Sequence, residues 1–449
     1  MAKDGTKFSI IPIIIASGLL FSILSTTMSN GSLINSSISA ESKKQVTLTA
    51  ILAEPKNRWD TLLNDALQKL NERHPDIDIH LKNIVLPYNS TRERILTAIS
   101  NQTPIDLISM DQIWLGDVAE RGYLTDLTNY VKSWGRASDW YPTNFDGGIY
   151  KGRIYGIWAW TDVRGIWYWK DLLNKAGVDP NSLNTWDGYI QSAKKLNSVL
   201  RPKGIEGVHL VGANHSPDMW YPYLWMLGGD ILVQKDGHPT KGTYWFPAYN
   251  SSAGVKALQF LKEQVDVGIK PQKNHFWGQE FANRKFAVMI EGPWLLGFFP
   301  REQWKSLEQQ IGFISAFPIP DKTNQSATMM GGWELSVPKT SQNKDLAWEL
   351  ISIMVDPSII SPMIKQYGYI PTQKSIGEGV YSSQLNQTIP YYDQMVSMIS
   401  IGRSRPSTPE YPQIADHIKQ AIDEVYYGIK EPKQALDDAA IKSAKVLGW

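Results

Sequence analysis

The chain has 449 residues, and its 45 Lys and Arg side chains nearly balance 44 Asp and Glu side chains, which gives a formal net charge of +1. This length fits two or three domain-sized units, and the near-neutral charge argues against a nucleic-acid-binding protein, which needs a basic face. The sequence contains no cysteine, which excludes disulfides, thiolate nucleophiles and cysteine-ligated metal centres. Its 18 tryptophans outnumber its 12 phenylalanines. A fold does not need that many indole rings, so their number favours a functional role for some of them.

The N-terminal segment, residues 1–24, has the pattern of a signal peptide or a membrane anchor. Lys3 and Lys7 precede an uncharged apolar run. The length of this run lies between that of a signal-peptide core and that of a transmembrane span. Residues 25–44 are rich in Ser, Asn and Thr and are typical of a polar linker. We therefore expect an exported, extracellular protein that contacts the membrane only through this segment, whether cleaved or kept as an anchor.

Sequons of the Asn-x-Ser/Thr type support an extracellular location. If they are modified, they imply a glycosylated surface protein. They begin at Asn30, Asn35, Asn89, Asn101, Asn214, Asn250, Asn324 and Asn386.

Residues 45–110 alternate between predicted strands and predicted helices. Residues 46–52 and 77–81 alternate as strands do, and residues 105–110 form an apolar run typical of a buried strand. The apolar residues between 59 and 70 keep helical spacing until His74-Pro75, and residues 92–100 are also helical. Strands that alternate with helices predict a parallel sheet covered by helices.

A second α/β unit is predicted from about residue 152, and the chain from residue 391 is mainly helical. We find neither an internal repeat nor a long linker, so the two units should be joined by several short crossings. The predicted strands are residues 154–160, 165–169, 208–211, 286–290, 311–317 and 335–337; the predicted helices are residues 171–176, 185–200, 252–267 and 343–355.

Motifs of common enzymes are missing from the sequence. It contains no Gly-rich dinucleotide fingerprint, no phosphate-binding loop and no Gly-x-Ser-x-Gly elbow. Its seven histidines are scattered and form no helical ligand pair. We therefore predict no catalytic residue, no metal site and no cofactor.

Tryptophans accompany single carboxylates where predicted strands end, which is where open α/β sheets bind ligands. A flat indole can cover the apolar face of a sugar ring, and carboxylates accept hydrogen bonds from sugar hydroxyls. This composition predicts a carbohydrate site. Its candidate residues are Asp111, Trp114, Trp160, Asp162, Trp220, Trp277, Trp294, Trp333 and Glu334.

Other residues in this pattern have a structural explanation. Trp167 and Trp169 alternate inside a predicted strand and Trp348 lies on the apolar face of a predicted helix, so we predict that all three belong to the core. Asp106 lies within a strand and is predicted to be a hydrogen-bonded structural residue. The Gly331-Gly332 pair is compatible with a tight turn.

Several motifs, in their order and spacing, resemble the extracellular solute-binding proteins of family 1. This family contains the receptors that deliver oligosaccharides to ABC importers, maltose-binding protein among them. The most specific motifs are FANRKFAVMIEGPW at residues 281–294, GGWELSV at 331–337 and GYIP at 368–371. The family pattern has Gly where this chain has Arg284 or Lys285.

The resemblance implies a two-lobed α/β fold of the periplasmic-binding-protein type II, with a ligand cleft between lobes joined by a multi-crossing hinge. Lobe 1 would comprise residues 45–157 and 334–390, and lobe 2 residues 163–328 and 391–449. By position, the family's ligand contacts would correspond to Asp111, Asp162, Trp220, Trp294 and Trp333, with Arg403 and Tyr411 where the C-terminal segment re-enters the cleft.

The function implied is that of a monomeric receptor, not an enzyme. It would capture a carbohydrate, an oligosaccharide above all, by hinge closure and pass it to the permease subunits of an ABC transporter. Three alternatives stay open: the same fold for glycerophosphate, a peptide or a polyamine; an extracellular glycoside hydrolase; and a surface adhesion module. Phosphate sites are typically built from Lys, Arg and backbone amides, so the Trp-rich loops argue against a phosphate ligand.

Overall fold

The structure is a computed structural model that describes residues 43–53, 56–211, 217–272, 277–321, 323 and 325–449. The predicted signal or anchor (residues 1–24) and nearly all of the predicted linker lie outside the described residues. The side chain of Trp277 does so as well.

Strands and helices alternate along most of the described chain. The strands are β1 (Lys44–Ala53), β2 (Ile77–Leu86), β3 (Leu107–Asp111), β4 (Ile149–Tyr150), β5 (Arg153–Ile154), β6 (Ile157–Asp162), β7 (Gly165–Trp169), β8 (Glu206–Val208), β9 (Leu210–Val211), β10 (Leu232–His238), β11 (Gly242–Pro247), β12 (Pro271–Gln272), β13 (Phe286–Glu291), β14 (Ile311–Ile314), β15 (Thr328–Ser336), β16 (Ile370–Pro371) and β17 (Gly402–Ser404). The α-helices are α1 (Lys56–Arg73), α2 (Tyr88–Ser100), α3 (Leu115–Glu120), α4 (Thr128–Trp134), α5 (Pro142–Gly147), α6 (Lys170–Ala176), α7 (Trp186–Leu200), α8 (Tyr221–Met226), α9 (Ser252–Asp266), α10 (Trp277–Ala282), α11 (Trp304–Gln310), α12 (Lys344–Met354), α13 (Pro357–Tyr367), α14 (Lys374–Gly377), α15 (Ser382–Asn386), α16 (Tyr392–Ser397), α17 (Tyr411–Tyr426) and α18 (Pro432–Val446).

The first α/β unit forms as its sequence pattern predicts. Strand β1 pairs in parallel with β2 and with β3. Helix α1 buries Leu62, Leu63, Ala66 and Leu70, which recur at helical spacing and therefore form one stripe against the sheet. The predicted parallel sheet covered by helices is confirmed.

The larger sheet has seven strands in the order β16-β6-β15-β3-β1-β2, with β17 beside β15. Strand β15 is antiparallel to β3 and β6 and, at its start, parallel to β17. Its register places Trp333 opposite Asp111 and Gly331 opposite Asp162. The ends of β3 and β6 and the first half of β15 therefore lie at one edge of this sheet.

The Gly331-Gly332 pair lies inside β15, so the tight-turn interpretation is wrong. The strand begins at Thr328, upstream of the predicted start. A Cβ at Gly332 would lie 2.6 Å from the carbonyl oxygen of Trp160, so the glycine allows two backbones to approach closely.

The smaller sheet has the order β14-β7-β13-β8. Strand β13 runs antiparallel to β7 and parallel to β8. The start of β7 and the end of β13 therefore lie at the same edge of this sheet. The helix signals around it are confirmed: Gly177 ends α6 with φ of 62°, and the Thr185 side chain accepts a hydrogen bond from the Gly188 amide at the start of α7.

The chain passes between the two sheets at β6–β7 and at β14–β15. Strand β17 belongs to the larger sheet although its residues fall in the range expected for lobe 2. The lobe boundaries themselves stay a prediction. Among the described helices, none is long and apolar enough to cross a membrane alone. Helices α12 and α13, which are bent by 58° relative to each other, reach that length and apolar composition only when taken together.

The tryptophans predicted to be structural are buried. Trp167 is 0% exposed, Trp169 3% and Trp348 8%. Asp106 is buried too, and it accepts hydrogen bonds from the Thr49 amide at 2.9 Å and the Ser341 hydroxyl at 2.6 Å. These predictions are confirmed.

Glu334, a candidate ligand residue, lies instead in the core beneath the larger sheet. Its side chain is 0% exposed, and its Oε1 accepts a hydrogen bond from the Trp158 indole. Burial raises the pKa of the Glu334 carboxyl well above its ordinary value. The folded state therefore holds this proton at pH values where the unfolded chain has released it.

We predict that Glu334→Gln removes a pH-dependent loss of stability. The contribution of a raised carboxyl pKa is fully present below the unfolded value, about pH 4.3, and is lost as the pH rises; a tenfold difference in proton affinity between the two states corresponds to about 1.4 kcal/mol. In urea unfolding at pH 4, 6 and 8, the free energy of unfolding of the variant should rise relative to that of the wild type as the pH increases. Glu93→Gln, on the exposed face of α2, should show no such gain. A difference between Glu334→Gln and wild type that stays constant with pH would contradict the assignment.

Candidate functional site

Three aromatic rings meet at the edge of the larger sheet. They are Tyr88 at the start of α2, Trp114 in the 3-10 turn that follows β3, and Trp333 in β15. Ring centroids lie 5.4 Å apart for Tyr88–Trp114, 6.0 Å for Tyr88–Trp333 and 6.1 Å for Trp114–Trp333. Trp333 stands nearly perpendicular to the other two rings, so the three form an aromatic corner.

Trp160 lies behind the aromatic corner, within the core. It is 2% exposed, with Tyr369 stacked on it at 5.5 Å and Trp59 at 5.2 Å. The buried guanidinium of Arg58 lies 4.9 Å from the Trp160 ring and 5.3 Å from the Trp333 ring. Trp160 and Arg58 thus support Trp333 through packing and cation–π contacts.

Arg164 occupies the corresponding edge of the smaller sheet, immediately before β7. Its guanidinium lies 3.0 Å from the Asp162 carboxylate, 3.7 Å from Asp218 and 4.9 Å from the centre of the Trp294 ring. Trp294 follows β13 and is half-buried. A carboxylate, a guanidinium and an indole therefore meet at this edge as well.

Arg405 connects the two edges. It donates to Asp111 at 3.0 Å, on the larger sheet, and to Asp218 at 3.1 Å, beside the smaller one. Its side chain is only 5% exposed. Burial opposes its charge, but Asp218 and Asp111 outweigh this effect and raise the Arg405 pKa well above its ordinary value. We call Asp111, Asp162, Arg164, Asp218 and Arg405 the charged cluster.

The charged cluster and the aromatic corner share Asp111. The Tyr88 hydroxyl donates to Asp111 at 2.8 Å, and 45% of the Tyr88 surface is exposed. Burial raises the pKa of Asp162, although Arg164 and Arg405 oppose the rise. Each buried charge thus has an opposite charge close by, as desolvated ions require.

The structure brings five of the candidate residues together: Asp111, Trp114, Asp162, Trp294 and Trp333. Trp220 and Tyr411 are buried behind them, at 1% and 0% exposure, and the Tyr411 hydroxyl lies 2.9 Å from that of Tyr221. Trp160 and Glu334 belong to the core.

Arg403 lies outside this group. It pairs with Asp230 at 2.7 Å and stacks over Trp225 at 5.0 Å, with 44% of its side chain exposed. Within the described residues, no three His, Asp or Glu side chains are arranged to hold a metal ion.

The sequence patterns missed Tyr88, Arg164, Asp218 and Arg405 as site residues. Asp218 and Arg164 could have been found, because each lies two residues from a candidate, Trp220 and Asp162 respectively. Arg405 carries no such signal, since its carboxylate partners are 294 and 187 residues away along the chain.

The model of the bacterial extracellular solute-binding protein family matches residues 54–358 of the chain. The arabinooligosaccharide-binding protein of Bacillus subtilis is 22% identical over 398 residues, which cover 84% of this chain and 87% of that protein. Among solved structures, the cyclic alpha-maltosyl-1,6-maltose binding protein from Arthrobacter globiformis is similar with a TM-score of 0.74 and 24% identity over 90% of this chain and 99% of its own.

The maltose-bound MalE3 protein of T. maritima is equally similar, with a TM-score of 0.74 and 22% identity over 90% of this chain and 100% of its own. These likenesses confirm the expected type II periplasmic-binding-protein fold. The matched family model covers well over half of the sequence. The chain belongs to the bacterial extracellular solute-binding protein family.

Proposed function

We propose that the chain is the extracellular receptor of an ABC importer, which captures a carbohydrate and delivers it unchanged to the permease. The observation that carries this proposal is the aromatic corner joined to a row of paired carboxylates through Asp111. The relatives named for arabinooligosaccharide, maltose and a cyclic maltosyl-maltose support the same ligand class. We infer a monomer that residues 1–24 export or anchor at the cell surface.

The proposed site would bind a sugar from two sides. Trp333, which is partly exposed, would cover the C–H face of a ring, while Trp114, only 5% exposed, packs edge-on against Trp333 and fixes its position. An aromatic contact of this kind contributes roughly 0.5–1.5 kcal/mol beyond area burial. Asp111 and Asp162 would accept hydrogen bonds from hydroxyls on the ring edge. Trp294 would cover the ligand from the opposite sheet edge, and rotation of lobe 1 (45–157, 334–390) toward lobe 2 (163–328, 391–449) would enclose it.

The charged cluster favours a neutral ligand over a phosphate. Arg405 already donates to Asp111 and Asp218, and Arg164 to Asp162. An anion that approached these guanidinium groups would have to displace carboxylates from a buried site. Sugar hydroxyls both donate and accept, so they can join the existing network.

We predict that Trp333→Ala and Trp294→Ala each weaken binding of the sugar on the order of tenfold, about 1.4 kcal/mol, because each removes an aromatic face. A panel of mono- and oligosaccharides, amino acids and phosphates, screened by tryptophan fluorescence and thermal shift, would first identify the ligand. Calorimetry would then compare the variants. Trp186→Ala is the matched control. That substitution also removes a stacked indole, whose ring centroid lies 4.2 Å from that of Phe260, but Trp186 belongs to neither the aromatic corner nor the charged cluster. Unchanged affinity in both site variants would refute this placement.

A neutral oligosaccharide should bind in the micromolar range or tighter, and glycerol 3-phosphate should not bind at a hundredfold higher concentration. The physical reason is that the charged cluster holds no guanidinium without a carboxylate partner. Isothermal calorimetry with both compounds checks this expectation, and saturable binding of the phosphate alone would favour the non-sugar alternative.

We predict that the protein binds its oligosaccharide without hydrolysing it. A hydrolase needs an acid and a base or nucleophile on opposite sides of the bond that it cleaves. Asp111 and Asp218 instead share the guanidinium of Arg405. Incubation of the purified protein with the oligosaccharide that it binds should release no new reducing ends over a day. Turnover that disappears in Asp111→Asn would establish the enzyme instead.

A further inference from the structure

We propose that residues 405–410, which we call the strap, latch the two sheet edges together without any ligand, and that Arg405 is thereby a positioning residue that sets ligand affinity. The inference rests on the proposed receptor function and adds to it a contact of protein on protein. The strap connects β17 to α17, and all of its residues are described.

The strap contacts the larger sheet through buried polar groups. The Arg405 guanidinium donates to Asp111, and the Gln112 amide donates at 3.2 Å to the carbonyl oxygen of Arg405. Gln112 is 1% exposed and Arg405 6%. Separating the strap from this edge would leave Asp111 and Gln112 without these partners, so the contact stabilises the closed arrangement.

The backbone of the strap also packs directly on helix α3. A Cβ added to Gly116 would lie 1.5 Å from the carbonyl oxygen of Ser407. No side chain fits between the helix and the strap at this point, so even alanine requires the two to move apart. The closeness of this contact shows that α3 and the strap fit each other without anything between them.

The other end of the strap is held on the side of the smaller sheet. Glu410 accepts from the Tyr244 hydroxyl at 3.1 Å and lies 3.7 Å from the Lys241 ammonium. Arg405 reaches Asp218 on that side, and Tyr411, which follows the strap, contacts Tyr221. The first residue of the strap follows β17 directly, and β17 pairs with β15 of the larger sheet, so the strap is held at both ends. If the lobes separate, Arg405 would no longer reach both Asp111 and Asp218, and the close contact between Ser407 and Gly116 would break.

This arrangement has a defined consequence for affinity. A ligand that binds only the closed form has an apparent dissociation constant equal to the intrinsic one divided by the closed fraction. The strap raises that fraction before any ligand arrives. Weakening the contacts of the strap should therefore raise the dissociation constant of every ligand by the same factor. Loss of a direct ligand contact instead changes the dissociation constants of related ligands by different factors.

The test uses Gly116→Ala in the protein from residue 43 onward, with Gly297→Ala as the matched control. A Cβ at Gly297 meets nothing within 4 Å. Small-angle X-ray scattering of the sugar-free proteins should give a larger radius of gyration for Gly116→Ala than for wild type and control. Calorimetry should show dissociation constants raised on the order of tenfold, by one common factor, for two or more sugars of different length.

Arg405→Lys provides a second variant that keeps the charge. One ammonium cannot reproduce the two-pronged guanidinium bridge, so the same expansion and the same common factor are expected. Thermal unfolding verifies that both variants fold; if Gly116→Ala does not, Arg405→Lys carries the test alone. Equal radii for sugar-free wild type and variants, or factors that differ between sugars, would overturn the latch. Absence of binding to any sugar would overturn the proposed carbohydrate ligand, while the scattering result would still decide the latch.

Discussion

The arrangement of the two sheet edges depends on one buried guanidinium. Arg405 is almost fully removed from water and holds two carboxylates, one on each side. An unpaired charge at this depth would cost several kcal/mol, so Arg405, Asp111 and Asp218 are mutually required. Asp111 ends β3 of the larger sheet, and Asp218 lies in a turn beside Arg164 at the edge of the smaller sheet. The requirement therefore acts on the relative position of the two edges and not only on local packing.

The site also depends on how β15 enters the larger sheet. This strand runs antiparallel between two strands of the opposite direction, β3 and β6. Its register brings Trp333 beside Asp111, so an aromatic face and a carboxylate lie together at the edge. Gly332 makes this possible because it leaves room for the Trp160 carbonyl. The juxtaposition of these two side chains thus arises from sheet register before any loop contributes.

The tryptophans occupy three different environments in this fold. Trp167 and Trp169 fill the core of the smaller sheet, and Trp160 supports the aromatic corner from behind. Trp114, Trp294 and Trp333 lie at the two edges. One residue type suits all three environments, because an indole buries a large apolar area and also offers a flat face. The tryptophan-rich composition predicted an aromatic binding site, but it could not tell which rings lie in the core and which lie at a sheet edge.

The sequence by itself determined the order of strands and helices, the helix ends at Thr185 and Gly177, and the candidates Asp111 and Trp294 at strand ends. These features depend on periodicity and on neighbours a few residues away, which a sequence displays directly. Only the tertiary structure decided that Glu334 is a core carboxyl, that Arg403 faces another surface and that Arg405 bridges the sheets. These outcomes depend on strand register and on partners 187 and 294 residues distant, which local pattern does not encode.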